Sequence, residues 1–202
     1  MDWELSIKHL ISGCIPMIPV LILYFLVLSI ARKRQTHAHI VASFVFCLYL
    51  LGVLTMTGVW WIRPFSPKLV YTPFADMIRG PVHTALNVLL FVPLGLFLPL
   101  LYKRYGRVGR IAVAGFLISL SVELVQMFGC GTTDIHDLMT NTAGACLGYC
   151  VYRLIYRAMP KSWRGALRID GVQGRFELPF FWIASLLVMA TIQLDIFHAL
   201  FG

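Results

Sequence analysis

Charge is the property this sequence has least of. Of its 202 residues 13% are charged, and only nine are acidic. Soluble domains carry about 25% charged residues, so a soluble enzyme is excluded as a starting point. Disorder is excluded by the opposite excess, since 59% of the residues are hydrophobic. The cysteines are few. Cys14, Cys47, Cys130, Cys146 and Cys150 are odd in number and follow neither a disulfide framework nor a zinc spacing. No internal repeat and no low-complexity tract occurs, and no ten-residue alternation of the outer-membrane barrel type. What the chain has in abundance is long apolar runs, and mean hydropathy is +0.80.

A bilayer core of about 30 Å requires about 20 apolar helical residues. Leu10–Ile30, Ile40–Ile62, Ala85–Tyr102, Ile111–Phe128 and Leu178–Phe201 meet or approach that length. Ile135–Ile155 is apolar enough to join them, although His136, Asp137 and Asn141 lie near its start. The expected fold is all-α, a polytopic bundle of about six transmembrane helices in one membrane domain, residues 1–202. The first span reads as an uncleaved one. Its apolar run is too long for a signal peptide and no small-x-small site follows it. Pro16 and Pro19 would kink it, which membrane helices tolerate.

The formal net charge of +8 is unevenly placed. Arg32, Lys33 and Arg34 follow the first span. Lys103, Arg104, Arg107 and Arg110 follow the third. Arg153, Arg157, Lys161, Arg164, Arg168 and Arg175 follow the fifth in order. Only Lys8, Arg63, Lys68 and Arg79 fall on the other side. The positive-inside rule makes loops 31–39, 103–110 and 153–177 cytoplasmic and both termini extracytoplasmic. The basic balance is then explained by topology and by anionic lipid heads, with no nucleic-acid partner. The stretch Lys161–Glu177 mixes Trp163, Leu167, Ile169 and Phe176 with basic residues. It reads either as an interfacial segment or as a solvated basic loop, since Gly165, Gly171 and Gly174 weaken a helix.

Polar groups inside a bilayer are costly and usually face a bundle interior or a cavity. Here they share helix faces. Ser119, Glu123 and Gln126 lie at i, i+4 and i+7 of the fourth span. Asp134, Asp137 and Asn141 lie at i, i+3 and i+7 of the next, and Gly144 and Gly148 continue that face. His83 and Asn87 form an i, i+4 pair at the outer end of the third. The turn after Phe128 is short, so spans four and five are antiparallel neighbours. Glu123 and Asn141 then lie at similar depth, roughly 9–10 Å from the outer end at 1.5 Å per residue. Plainer roles stand beside the functional ones. Asp134 suits a helix N-cap, with Asp137 in the first turn. Gly144-x-x-x-Gly148 suits close helix packing or a homodimer seam, and Asn87, Gln126 and Asn141 suit interhelical hydrogen bonding. His136 lies between acidic residues without a metal-ligand spacing, so no metal and no cofactor is expected.

Asn87–Gly95 with Pro93, Ser119 with Glu123-Leu-Val-Gln126, Asp134-Ile-His-Asp137 with Asn141 and Gly144, and Gly148-Tyr149 together resemble the VanZ-like family. Tyr71-Thr-Pro73-Phe74 is similar to the Pro-Phe element that precedes the family's Asn helix. The resemblance covers approximately residues 69–152. Two departures stand out: Gly131 where many members carry Arg, and His136 where many carry Asp. The resemblance implies a bacterial cytoplasmic-membrane protein of the cell envelope, connected with glycopeptide or lipoglycopeptide resistance of the teicoplanin type. It does not settle an activity.

Three modes of action fit these residues. The first binds a lipid-linked cell-wall precursor or a lipidated molecule in the outer leaflet. It uses His83, Asn87, Ser119, Gln126, Asp134, His136 and Asn141, with membrane lipids as partners. The second is an intramembrane enzyme with Glu123 and Asp137 as an acid/base pair, which needs two titratable groups held in different environments. The third is a small transporter or flippase, for which six spans without an inverted repeat leave little room unless a homodimer supplies it.

Overall fold

The computed structural model describes residues 3–31, 33, 35–59, 65, 69–70, 81–128, 133–171 and 173–201. The Tyr71–Phe74 element, Cys130 and Gly131 lie outside the described residues. The helices are α1 (Trp3–Ile30), α2 (His37–Met56), α3 (Pro81–Leu101), α4 (Val108–Gln126), α5 (Ile135–Ala158), α6 (Lys161–Leu167), α7 (Gln173–Ala190) and α8 (Ile192–Phe201). A 3-10 turn, Lys103–Tyr105, joins α3 to α4. Two residues of β1 (Leu69–Val70) pair in parallel with β2 (Thr133–Asp134), in the register Leu69 to Thr133 and Val70 to Asp134.

The fold is an all-α polytopic membrane bundle. α1, α2, α3 and α4 are each long and apolar enough to cross a membrane. α7 and α8 are apolar enough only as a pair, bent by 50° at Thr191, which makes them a broken span or a re-entrant loop. α5 is long enough, roughly 36 Å at 1.5 Å per residue, but is not among the sufficiently apolar helices. Its location explains the polarity. It packs along α3 and α4, so its hydrogen-bonding residues meet protein rather than lipid.

α3 is the axis of the bundle. It touches α2 on one side and α4 and α5 on the other, while α1 packs on α2, α7 and α8. Phe91, Leu94, Leu98 and Leu101 of α3 are buried with Phe46, Leu50, Leu51 and Leu54 of α2 and Ile111, Ile118 and Val122 of α4. The outer surface carries exposed Leu23, Leu26, Leu86, Leu89, Leu117, Leu147, Leu154 and Leu187. A water-facing monomer rarely exposes so much apolar surface, and lipid tails would cover it.

Helix ends are fixed by local chemistry. Thr36 caps α2, its hydroxyl accepting from His39 N at 3.2 Å. At the other end Gly58 takes φ +75°, a conformation costly for any other residue. That lets Gly58 N donate to Thr55 O and Val59 N to Leu54 O, a Schellman closure. Residues 161–177 are not one loop. Residues 161–167 form α6, and Gln173–Glu177 are the opening of α7. Between them Lys103 N donates to Ile169 O at 3.1 Å and Ile169 N to Leu101 O at 2.9 Å, which fastens the segment to the end of α3. Asp170 meets Lys103 at 3.0 Å, and its carboxyl is held below the usual range first by the Gly171 N–H and then by Lys103.

The closest helix contact is between α3 and α5, and glycine makes it possible. A Cβ on Gly144 would lie 2.1 Å from Val88 O, on Gly148 1.9 Å from Val92 O, and on Gly95 1.8 Å from Ala145 O. These two glycines of α5 therefore face α3 of the same chain, and a second copy would need another surface. Gly148→Ala is expected to cost about 3 kcal/mol through overpacking against backbone. Gly165→Ala, with nothing within 4 Å of its Cβ, is expected to stay within about 1 kcal/mol of the parent. Thermal unfolding of the detergent-solubilised variants decides; equal losses would contradict the seam.

Candidate functional site

Three helices and the end of a fourth bring the polar residues together where α4 finishes and α5 begins. Asp134 is the N-cap of α5, and its Oδ1 accepts from His136 N at 2.8 Å. Its own backbone N–H donates to Glu123 Oε2 at 3.0 Å. One turn along, Asn141 Nδ2 donates to Ser119 Oγ at 3.0 Å. Glu123, Ser119, Asp134 and Asn141 thus form the α4–α5 contact, all of them buried. On the α3 side, Asn87 Nδ2 donates to Asp137 Oδ1 at 2.5 Å, and Thr84 Oγ1 lies 3.1 Å from His136 Nε2. His136 is buried with its Nδ1 unpartnered among the described residues.

Gln126 shares the face of Ser119 and Glu123 but turns to α2. Its Nε2 donates at 2.8 Å to Thr57 O, a carbonyl left over at the closed end of that helix. Helix ends leave such carbonyls without intrahelical partners. Gly58 therefore matters to the site: by reversing the chain it leaves Thr57 O within reach of α4.

A cavity of about 590 Å³ opens beside this junction. That volume falls in the range of small-molecule pockets. Its apolar wall is Trp3, Tyr49, Met56, Leu86, Leu89, Leu90 and Pro93, and its polar wall is Thr57, His83, Asn87, Gln126 and Asp137. The sequence-predicted residues thus divide in two. His83, Asn87, Gln126 and Asp137 line the cavity. Ser119, Glu123, Asp134, His136 and Asn141 are not among its lining residues and hold α5 to its neighbours instead. Gly144 and Gly148 lie further along α5, on α3. Among the described residues, no group of three His, Cys, Asp or Glu is placed to hold a metal ion.

A second polar cluster lies at the opposite end of α3, and sequence reasoning missed it. Glu177 is fully buried. His39 Nε2 is 2.8 Å from its Oε1, Tyr24 OH donates to its Oε2 at 3.0 Å, and Tyr102 OH donates to Oε1 at 3.2 Å. His39 Nδ1 lies 2.8 Å from Leu167 O. A carbonyl only accepts, so Nδ1 carries a proton there. Composition places Glu177 at the end of the basic stretch 161–177, an interfacial segment or a loop, rather than inside the bundle. The available signal was Glu177 set directly before the apolar run Leu178–Trp182.

A helical membrane protein that gathers polar side chains from adjacent helices beside a cavity is the class this fold and site define. The chain belongs to the VanZ/LLP1 family, whose sequence model matches residues 15–156. The match takes in most of α1 and all of α2 as well as the motif-bearing part. A protein named VanZ from Enterococcus faecium is 39% identical over 74 residues, which is 36% of this chain and 45% of that protein. The chain therefore matches less than half the length of that relative. No solved structure matches the chain.

Two stability predictions follow from the contacts. Glu123→Leu leaves the buried Asp134 N–H without its acceptor and is expected to cost about 1–3 kcal/mol. Glu123→Gln keeps an acceptor oxygen and is expected to lose less. Equal loss in denaturation profiles would show that the hydrogen bond is not what Glu123 contributes. At the other end, Glu177→Leu strips the acceptor from two tyrosines and the histidine at once. Breaking a buried pair in this way is expected to cost about 3–5 kcal/mol, read by the same profiles. A near-neutral result would mean that the cluster is dispensable to the fold.

Proposed function

We propose that this protein is an envelope protein of a bacterial cytoplasmic membrane that binds an amphiphilic envelope component from the outer leaflet. Through that binding it lowers the action of lipoglycopeptides of the teicoplanin type. The observation that carries this reading is the cavity: an apolar wall of lipid-chain character with His83, Asn87, Gln126 and Asp137 at one side. Family membership supports the envelope setting. The distribution of Lys and Arg supports an orientation in which the site end faces outward and the basic loops face the cytoplasm.

Binding is favoured over acid/base catalysis for a specific reason. Two catalytic carboxyls must both reach the substrate. Asp137 lines the cavity, whereas Glu123 is not among its lining residues and accepts a backbone N–H. A transporter would need alternating access, which the close α3–α5 seam opposes.

The experiment is growth of a susceptible Gram-positive host expressing the wild-type chain, Asp137→Asn or Leu89→Trp, at matched membrane levels, across teicoplanin and vancomycin. The expected outcome is wild-type protection against teicoplanin more than vancomycin. Leu89→Trp, which fills the cavity, is expected to abolish it. Protection that survives a filled cavity would overturn the site, and no protection from the wild type would overturn the resistance role.

A further inference from the structure

We propose that the cavity receives a primary ammonium head group, with the attached hydrocarbon chain lying along Leu86, Leu89 and Pro93. This rests on the reading of the cavity as an amphiphile site and names the head group it takes.

The inference comes from which polar atoms are already used. Tyr49 OH donates to Leu90 O at 2.8 Å, and Thr57 Oγ1 donates to Val53 O at 2.9 Å. Asn87 Nδ2 donates to Asp137 Oδ1, and Gln126 Nε2 donates to Thr57 O. The Gln126 orientation is chemically forced, and that of Asn87 follows with Asp137 ionised. A carboxylate and a backbone carbonyl only accept, so each amide must present its nitrogen to them. The oxygens are what remain. Asn87 Oδ1 and Asp137 Oδ2 have no protein partner among the described residues. Gln126 Oε1 also lacks one but is closed off from a water-sized group, so it is not offered to a ligand. The lining residues that keep an N–H of their own, Trp3 and His83, are both exposed.

The inner part of the polar wall is thus the Asp137 carboxylate beside Asn87 Oδ1, with His83 at the exposed edge facing them. An ammonium complements it in kind: one positive charge and three N–H donors. Charge-assisted hydrogen bonds are the stronger ones. A sugar head offers donors without the charge. A phosphate offers acceptors and a negative charge, and would meet its own kind at Asp137. The ammonium could belong to an aminolipid of the membrane or to an amine-bearing lipidated molecule arriving from outside, and both share the chemistry tested.

The test uses the full chain in phosphatidylcholine nanodiscs, whose choline head has no N–H to donate. Four radiolabelled probes share one hexadecyl chain: the amine, its N-acetyl derivative, the maltoside and the phosphate. Partition into empty nanodiscs is subtracted. The amine is expected to bind about tenfold tighter than the N-acetyl form, the difference one charge-assisted contact makes. Asp137→Asn is expected to remove that preference. Should that variant fail to fold, the wild-type comparison of amine with N-acetyl amine still decides. Equal binding of the two, or a preference for the phosphate, overturns the ammonium assignment and leaves the amphiphile site standing. Binding by none of the four overturns the amphiphile site as well. To separate the two sources, a diacyl aminophospholipid and a soluble acylated amine compete against the bound hexadecylamine. Displacement by either one supports the assignment and names the source; displacement by neither overturns it.

Discussion

The backbone contact between α3 and α5 governs the rest of the structure. Gly95, Gly144 and Gly148 let two helices approach until a single added methyl would strike a carbonyl. In lipid the helices gain little from hiding apolar surface, because the tails are as apolar as the side chains. Close packing and hydrogen bonds must hold them instead. The seam provides the first and sets up the second. With α5 pressed on α3, Asp137 lies against Asn87 and His136 against Thr84. The same placement turns the other side of α5 to α4, where Ser119 and Glu123 find Asn141 and the Asp134 amide.

The helical spans were legible because they rest on hydropathy; the grouping of Asp134, Asp137 and Asn141 on one face was not, since Asp137 meets Asn87 of α3 while Asn141 and the Asp134 amide meet Ser119 and Glu123 of α4. The glycine seam was legible as a motif but not as an assignment, since spacing alone does not say whether the facing helix belongs to the same chain. Three things were beyond reach for physical reasons. Gln126 shares the i, i+4, i+7 spacing of Ser119 and Glu123, yet its hydrogen bond runs to Thr57 O of α2, at the end that Gly58 closes. The division between structural and cavity-lining residues depends on side-chain depth, which i, i+4 spacing does not encode. The His39–Glu177 pair joins residues 138 positions apart, and no local pattern connects them.

The two polar clusters differ in a way that bears on function. Around Glu177 every named polar partner is turned inward, and four elements close over it. This is a buried network that specifies how α1, α2, α3 and α7 meet. At the other end the network is only half closed. Asn87, Gln126 and Asp137 are partly exposed, and each keeps an oxygen without a partner among the described residues. An unsatisfied acceptor in an apolar setting costs free energy unless something donates to it.

That asymmetry is an argument about where the molecule can afford ligand chemistry. A rigid end fixes the helices, so the open end need not collapse to satisfy its own oxygens. Repacking Asn87 or Asp137 toward another helix would require α5 to shift along α3, and Gly144 and Gly148 leave no slack for that against Val88 and Val92. Asn87 and Asp137 therefore stay at the cavity wall because the seam holds them there. In a bilayer the partners available to satisfy them are water, where it penetrates, and the donor groups of amphiphiles at the interface. The closer these groups lie to the apolar wall formed by Leu86, Leu89 and Pro93, the more the balance turns from water to a molecule that carries both a donor and a chain.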